Sequence, residues 1–101
     1  SYKQAIKIKP DYAQTYFDAG LALQDKGELD AAISAYKQAL KIKPDDAIFH
    51  FSLGVSLQNK GDLDGAIASY KQAVKIKSDL AHAYFNLGAA WRAKGILETA
   101  V

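Results

Sequence analysis

Ala13 to Asp46 reads AQTYFDAGLALQDKGELDAAISAYKQALKIKPDD, and the following stretch, Ala47 to Leu80, reads AIFHFSLGVSLQNKGDLDGAIASYKQAVKIKSDL. Set column against column, 19 of the 34 positions are identical, and most of the other differences are mild, such as Leu40 against Val74. A fixed period of this length marks an array in which one supersecondary unit is copied along the chain. The copy continues on both sides. Ala81 to Val101, AHAYFNLGAAWRAKGILETAV, begins a third unit, and Ser1 to Tyr12, SYKQAIKIKPDY, reproduces the tail of an earlier one. The expected organisation is one repeat array over 1–101. It divides into the second helix of a truncated repeat (1–12), two complete repeats (13–46 and 47–80), and a truncated repeat (81–101) holding a first helix and the start of a second.

Within each unit the apolar spacing is helical and falls into two blocks. The first block, A, places Tyr16, Ala19, Gly20 and Leu23 at i, i+3, i+4 and i+7, and its copy places His50, Leu53, Gly54 and Leu57 likewise. The second block, B, has Ala32, Ile33, Tyr36, Ala39 and Leu40, repeated as Ala66, Ile67, Tyr70, Ala73 and Val74. Each block predicts an amphipathic helix of about 13 residues. The pairs Lys26-Gly27, Lys60-Gly61 and Lys94-Gly95 separate A from B, and a glycine in the left-handed conformation ends a helix there. Asp30 and Asp64 are candidate N-caps of the B helices. Pro44 stops the first complete B helix, with Ser78 in its place one unit later, and Asp11, Asp45 and Asp79 are candidate caps for the A helices.

These residues resemble the tetratricopeptide repeat (TPR) family. With Ala13 as the first position of a unit, the signature residues fall on Tyr16, Ala19, Gly20, Leu23, Ala32, Tyr36, Ala39 and Pro44. They recur as His50, Leu53, Gly54, Leu57, Ala66, Tyr70 and Ala73, and again as Tyr84, Leu87, Gly88, Trp91 and Ala100. The resemblance implies an all-α fold, a right-handed superhelical solenoid of antiparallel helix pairs. It also implies close backbone approach where Gly20, Gly54 and Gly88 face Ala32, Ala66 and Ala100. One hairpin cannot bury both of its apolar faces, so stability accrues along the array.

Composition narrows the function. Thirteen Lys plus Arg against eleven Asp plus Glu leave a net charge of +2, which is small for a chain that neutralises phosphates, and Arg92 is the single arginine. No nucleic acid partner is expected. The recurring YKQA-x-KIK motif sets Lys3/Lys7, Lys37/Lys41 and Lys71/Lys75 at i, i+4, where lysines complement helix C-termini and keep the outer surface solvated. No apolar run approaches the roughly 18 to 20 residues of a membrane span, so no membrane insertion is expected, and the chain reads as soluble with the cytoplasm as its expected compartment. The absence of cysteine removes disulfides, thiolate nucleophiles and Cys-based zinc sites. His50 and His82 lack the convergent partners of a metal site, and no phosphate loop or nucleophile motif occurs. No catalytic residue, cofactor or metal is expected, and the chain is not read as an enzyme. It has no methionine, not even an initiator, and is read as a piece of a longer protein or a processed product.

What remains is binding. In the family, helix A lines a concave groove, with the fifth, ninth and twelfth positions of the unit commonly pointing into it. Here the fifth position is Phe17, Phe51 and Phe85, the ninth Leu21, Val55 and Ala89, and the twelfth Gln24, Gln58 and Arg92. The expected peptide-binding groove therefore comprises Phe17, Leu21, Gln24, Phe51, Val55, Gln58, Phe85, Asn86 and Arg92, and its ligand is a protein or peptide segment. The family members that grip a C-terminal carboxylate carry lysine and asparagine at the fifth and ninth positions of the first unit, where this chain has Phe17 and Leu21. The Tyr-Phe-Asn-Leu-Gly run around Asn86 is similar to the repeat arm of the protein O-linked N-acetylglucosamine transferase. A second reading is thus a spacer or substrate-recruiting arm of a larger enzyme, for example a glycosyltransferase. A third is self-assembly through the open ends: head-to-tail association of terminal helices, with Tyr2 and Ile6 of one copy against Tyr84, Leu87 and Trp91 of the next.

Overall fold

The computed structural model describes residues 11–99; the helix expected over Ser1 to Ile8 and the pairing of Gly88 with Ala100 lie outside them. Five helices follow in order: α1 (Tyr12–Asp25), α2 (Leu29–Ile42), α3 (Ala47–Lys60), α4 (Leu63–Ile76) and α5 (Ala81–Thr99). The described residues contain no strand. α1 packs on α2 and α3 on α4 as A/B hairpins, while α2 with α3 and α4 with α5 join neighbouring repeats. The result is a solenoid of antiparallel helix pairs.

The turn within each complete repeat is the one its glycine allows. Gly27 and Gly61 adopt φ of 81° and 96°, and behind them Glu28 N–H donates to the Leu23 carbonyl at 2.9 Å and Asp62 N–H to that of Leu57 at 2.8 Å. These are Schellman closures, which satisfy carbonyls that a helix end leaves open. The capping residues sit elsewhere than the spacing suggested. Asp62, not Asp64, accepts from Gly65 N–H at 2.9 Å, and Glu28, the N-cap residue of α2, makes no side-chain cap. Asp30 and Asp64 lie inside the first turn, where their carboxylates pair with lysines of the following repeat. Asp11 caps α1 through Gln14 N–H, as expected, but Asp46 rather than Asp45 caps α3. Asp79 pairs with Lys77 at 3.2 Å, and the main-chain carbonyl of Leu80 opens α5. Replacing Pro44 by Ser78 does not alter the helix end: α2 and α4 stop at equivalent residues, with Lys43 N–H to the Ala39 carbonyl and Lys77 N–H to the Ala73 carbonyl both at 2.9 Å.

The third Lys-Gly pair behaves differently, and this corrects the turn expected there. α5 runs through Lys94 and Gly95 to Thr99 as one helix, without positive φ at the glycine. The acid that follows the other two turn glycines, Glu28 or Asp62, is Ile96 here. Lys94 meets Glu98 at 2.5 Å across the site of the turn, an i, i+4 pair that favours the continuous helix.

The core is built from rings seated on glycines. Tyr36 and Tyr70 are fully buried, and a β-carbon added to Gly20 or Gly54 would stand only 2.5 or 2.6 Å from the Tyr36 or Tyr70 ring. The expected alanine partners, Ala32 and Ala66, are fully buried, but the groups resting on the glycines are the tyrosine rings. Burying each such side chain contributes about 2–3 kcal/mol.

Candidate peptide-binding groove

The three phenylalanines of the expected groove lie in three different environments. Phe17 on α1 is only 8 % exposed; its ring stacks on Phe49 of α3 with centroids 4.6 Å apart and tilts against Tyr36 at 5.6 Å. It is a core residue joining two repeats. Phe51 on α3 keeps the tilted contact to its own tyrosine, Tyr70, at 5.8 Å but is half-buried. Where Phe49 covers Phe17, the equivalent residue of the next repeat is Ala83, too short to cover Phe51. Phe85 on α5 is 70 % exposed. Of the ninth-position residues, Leu21 is exposed and Val55 half-buried beside Phe51.

The glutamines expected to read a ligand are used inside the protein. Gln24 Oε1 accepts from the Tyr36 hydroxyl at 2.7 Å and from the Ser56 hydroxyl at 2.8 Å, which ties the first hairpin to the second. Gln58 Oε1 accepts from the Tyr70 hydroxyl at 2.7 Å. These contacts satisfy phenols that burial would otherwise leave without a partner. Burial pushes the Tyr36 phenol up to about 12; the Asp25 carboxylate adds to the rise and the Ser56 hydroxyl opposes it. Burial also raises Tyr70, and half-buried Asn86 opposes the rise. Arg92, the third residue of the glutamine series, is exposed, and its guanidinium lies 3.8 Å from the position a β-carbon on Gly88 would take.

Phe51 and Asn86 thus lie beside Tyr70, while Phe17 is committed to packing and Gln24 and Gln58 to internal hydrogen bonds. Sequence reasoning missed Ser56 and Asp25 as partners of this polar layer. The signal was present in the columns: Ser56 stands between Ala22 and Ala90, and Asp25 corresponds to Asn59. Outside the groove, Lys60 pairs with Asp30 at 2.6 Å and Lys94 with Asp64 at 3.2 Å, the same ion pair repeated between successive units. Because their carboxylates are exposed to solvent, such pairs contribute little to stability. Lys71, expected to lie free on the outer face, places its Nζ 5.8 Å from the centre of the Trp91 ring.

Among the described residues no group of His, Asp or Glu is placed to hold a metal ion, and no helix is long and apolar enough to cross a membrane. The sequence profile of the family described as TPR repeat matches residues 1–27, 20–61 and 58–95. The chain belongs to the TPR repeat family. Its fold is accordingly the right-handed superhelical solenoid of TPR proteins, and its coarse function that of a TPR protein-interaction scaffold. The first TPR domain of Spaghetti (RPAP3), in a structure bound to the HSP90 peptide SRMEEVD, superposes with a TM-score of 0.83 at 21 % identity, covering 90 % of this chain and 72 % of that one. Two structures of MamA are similar at TM-scores of 0.82 and 0.81, with 29 % and 31 % identity over 92 % and 87 % of this chain. This TPR chain spans 54 % and 48 % of the lengths of those MamA chains, about half. No curated protein matches the sequence significantly.

Proposed function

We propose that the A-helix surface around Phe51, Val55 and Asn86, extended by Leu21 and Phe85, docks a peptide or helical segment of a partner protein. The observation that carries this reading is the incomplete burial of the Phe51–Val55 ridge. It keeps aromatic and aliphatic surface open in the middle of the array, where the equivalent Phe17 is sealed by Phe49. Apolar anchors in a partly desolvated groove dominate the affinity of such contacts, and a segment with apolar side chains at repeat-matched intervals fits the ridge. The Spaghetti (RPAP3) neighbours, each solved bound to an HSP90 peptide, support a peptide ligand for this surface. Buried Phe17 and exposed Leu21 stand where the carboxylate-gripping members carry lysine and asparagine, so these repeats lack the residues of that clamp.

A peptide array probed with the intact protein identifies binding sequences, and variants then test the surface. Phe51→Ala is expected to weaken the selected peptide by about 2 kcal/mol, beyond its effect on thermal stability measured in parallel. Leu21→Lys, at an exposed site, should weaken it without unfolding the chain. Lys37→Ala is the neutral control, because its counterpart Lys71 contacts Trp91. Unchanged affinity in both groove variants, with the fold intact, would move the docking site elsewhere.

A further inference from the structure

α1 and α3 carry one surface stripe in two versions. On α1, Gln14, Asp18, Leu21 and Asp25 follow at i, i+4, i+7 and i+11, a spacing that keeps to one helix face, and all four are exposed. The Gln14 amide donates to Asp18 Oδ1 at 3.0 Å, and neither aspartate forms an ion pair among the described residues. On α3 the same positions are Ile48, Ser52, Val55 and Asn59, none of them charged.

The stripe borders the side of α1 that meets the following repeat. Phe17, one turn from both Gln14 and Leu21, stacks there on Phe49. Asp25 acts on the Tyr36 phenol, whose acceptor Gln24 also binds Ser56 of α3, so its charge stands at the same seam. A repeat preceding α1 would pack on the opposite side, at Tyr16, just as His50, the counterpart of Tyr16, meets Pro44 of the repeat before it. Positive charge is kept off this surface. α1 has no basic residue, and the one lysine of α3, Lys60, pairs with Asp30. Exposed Lys37, Lys41 and Lys75 belong to the B helices, the other layer of the solenoid.

Resting on the docking role given to the A-helix surface, we propose that its partner segment is basic as well as apolar. Lysine or arginine side chains reach Asp18 and Asp25 from either side of an apolar residue seated on Leu21, and further apolar residues lie on Phe51 and Val55. The two aspartates are about 10 Å apart along α1. Residues i and i+3 of an extended segment, or i and i+7 of a helix, span that distance. The charges choose the partner more than they hold it. An acidic segment meets like charge at both aspartates, while a basic one is drawn to the A-helix layer and repelled by the lysines of the B layer.

The test uses two synthetic peptides, blocked at both ends and identical in their leucines, with lysine in one and glutamate in the other at every polar position. In calorimetric titrations of the 101-residue chain at low ionic strength, the lysine peptide should bind roughly tenfold more tightly, and added salt should narrow the gap. Asp18→Asn/Asp25→Asn should reduce that preference about fivefold. Its fold should be kept, because asparagine already stands at these positions as Asn86 in α5 and Asn59 in α3. Asp45→Asn/Asp79→Asn, the same loss of charge placed in the turns between repeats, should leave the preference unchanged. Two results overturn the proposal while docking at the ridge stands: equal affinity for both peptides with sensitivity to Phe51→Ala, or an undiminished lysine preference in the Asp18→Asn/Asp25→Asn chain. Binding of the lysine peptide that ignores both Phe51→Ala and Leu21→Lys overturns the docking surface itself. Failure of both peptides to bind at about 1 mM overturns the basic partner.

Discussion

The junction between the first and second repeats and that between the second and third join helices of the same design, yet only the first is closed on the A-helix side. In the first, Phe49 stacks on Phe17 and Ser56 hydrogen-bonds to Gln24. In the second, the corresponding residues are Ala83 and Ala90, and Phe51 remains half-buried. Two small residues in place of a phenyl ring and a hydroxyl therefore separate a sealed seam from an open ridge. A repeat array can hold its backbone geometry constant and still vary its surface at each seam, because the hairpin itself is fixed by the Gly20–Tyr36 and Gly54–Tyr70 contacts.

The largest effect is expected from making the first junction resemble the second. Phe49 is 2 % exposed, so Phe49→Ala should cost about 3–4 kcal/mol in urea unfolding and leave Phe17 as accessible as Phe51. A loss below about 1 kcal/mol would mean that the stacked pair does not hold the seam.

An intermediate effect distinguishes the two buried tyrosines. The Tyr36 phenol is raised from 10.0 to about 12 in the folded protein, so the protonated form is favoured by folding. Its contribution is fully present below pH 10 and is lost as pH rises to about 12, amounting to about 2–3 kcal/mol over that window. Tyr70 has Asn59 where Asp25 adds to the rise at Tyr36, and Asn86 opposes its shift. Absorbance titration should therefore find Tyr36 ionising last, and Asp25→Asn should bring it down towards Tyr70. Equal titration of the two, or indifference to Asp25→Asn, would remove the electrostatic distinction between the repeats.

The smallest effect sharpens the comparison. Ser56→Ala removes the hydroxyl that bridges to Gln24 but leaves the Tyr36 bond, and should cost about 1 kcal/mol. Ala90→Ser, which offers Gln58 the missing second donor, should change stability by less. Thermal melts of the two variants, run side by side, show whether the polar bridge belongs to the first seam alone.

The sequence by itself determined the period, the helix pairs and the tetratricopeptide identity. Glycines, alanines and tyrosines recurring every 34 residues leave few other ways to bury two amphipathic faces per unit. It also exposed the ingredients of the groove, since the phenylalanines sit in one column. What it could not rank was their exposure. Whether Phe17, Phe51 or Phe85 is covered depends on the third position of the next repeat and on a tyrosine from a B helix, contacts between residues far apart in the chain. The glutamines look like free recognition groups until the fold brings a buried phenol to each. Only the tertiary structure decided the fate of the Lys-Gly pairs. Gly27 and Gly61 turn where a B helix packs back on its A helix, while Gly95 stays helical, with Ile96 after it and Lys94 paired to Glu98 across it. A glycine permits a left-handed turn, and it takes the packing of a second helix to require one.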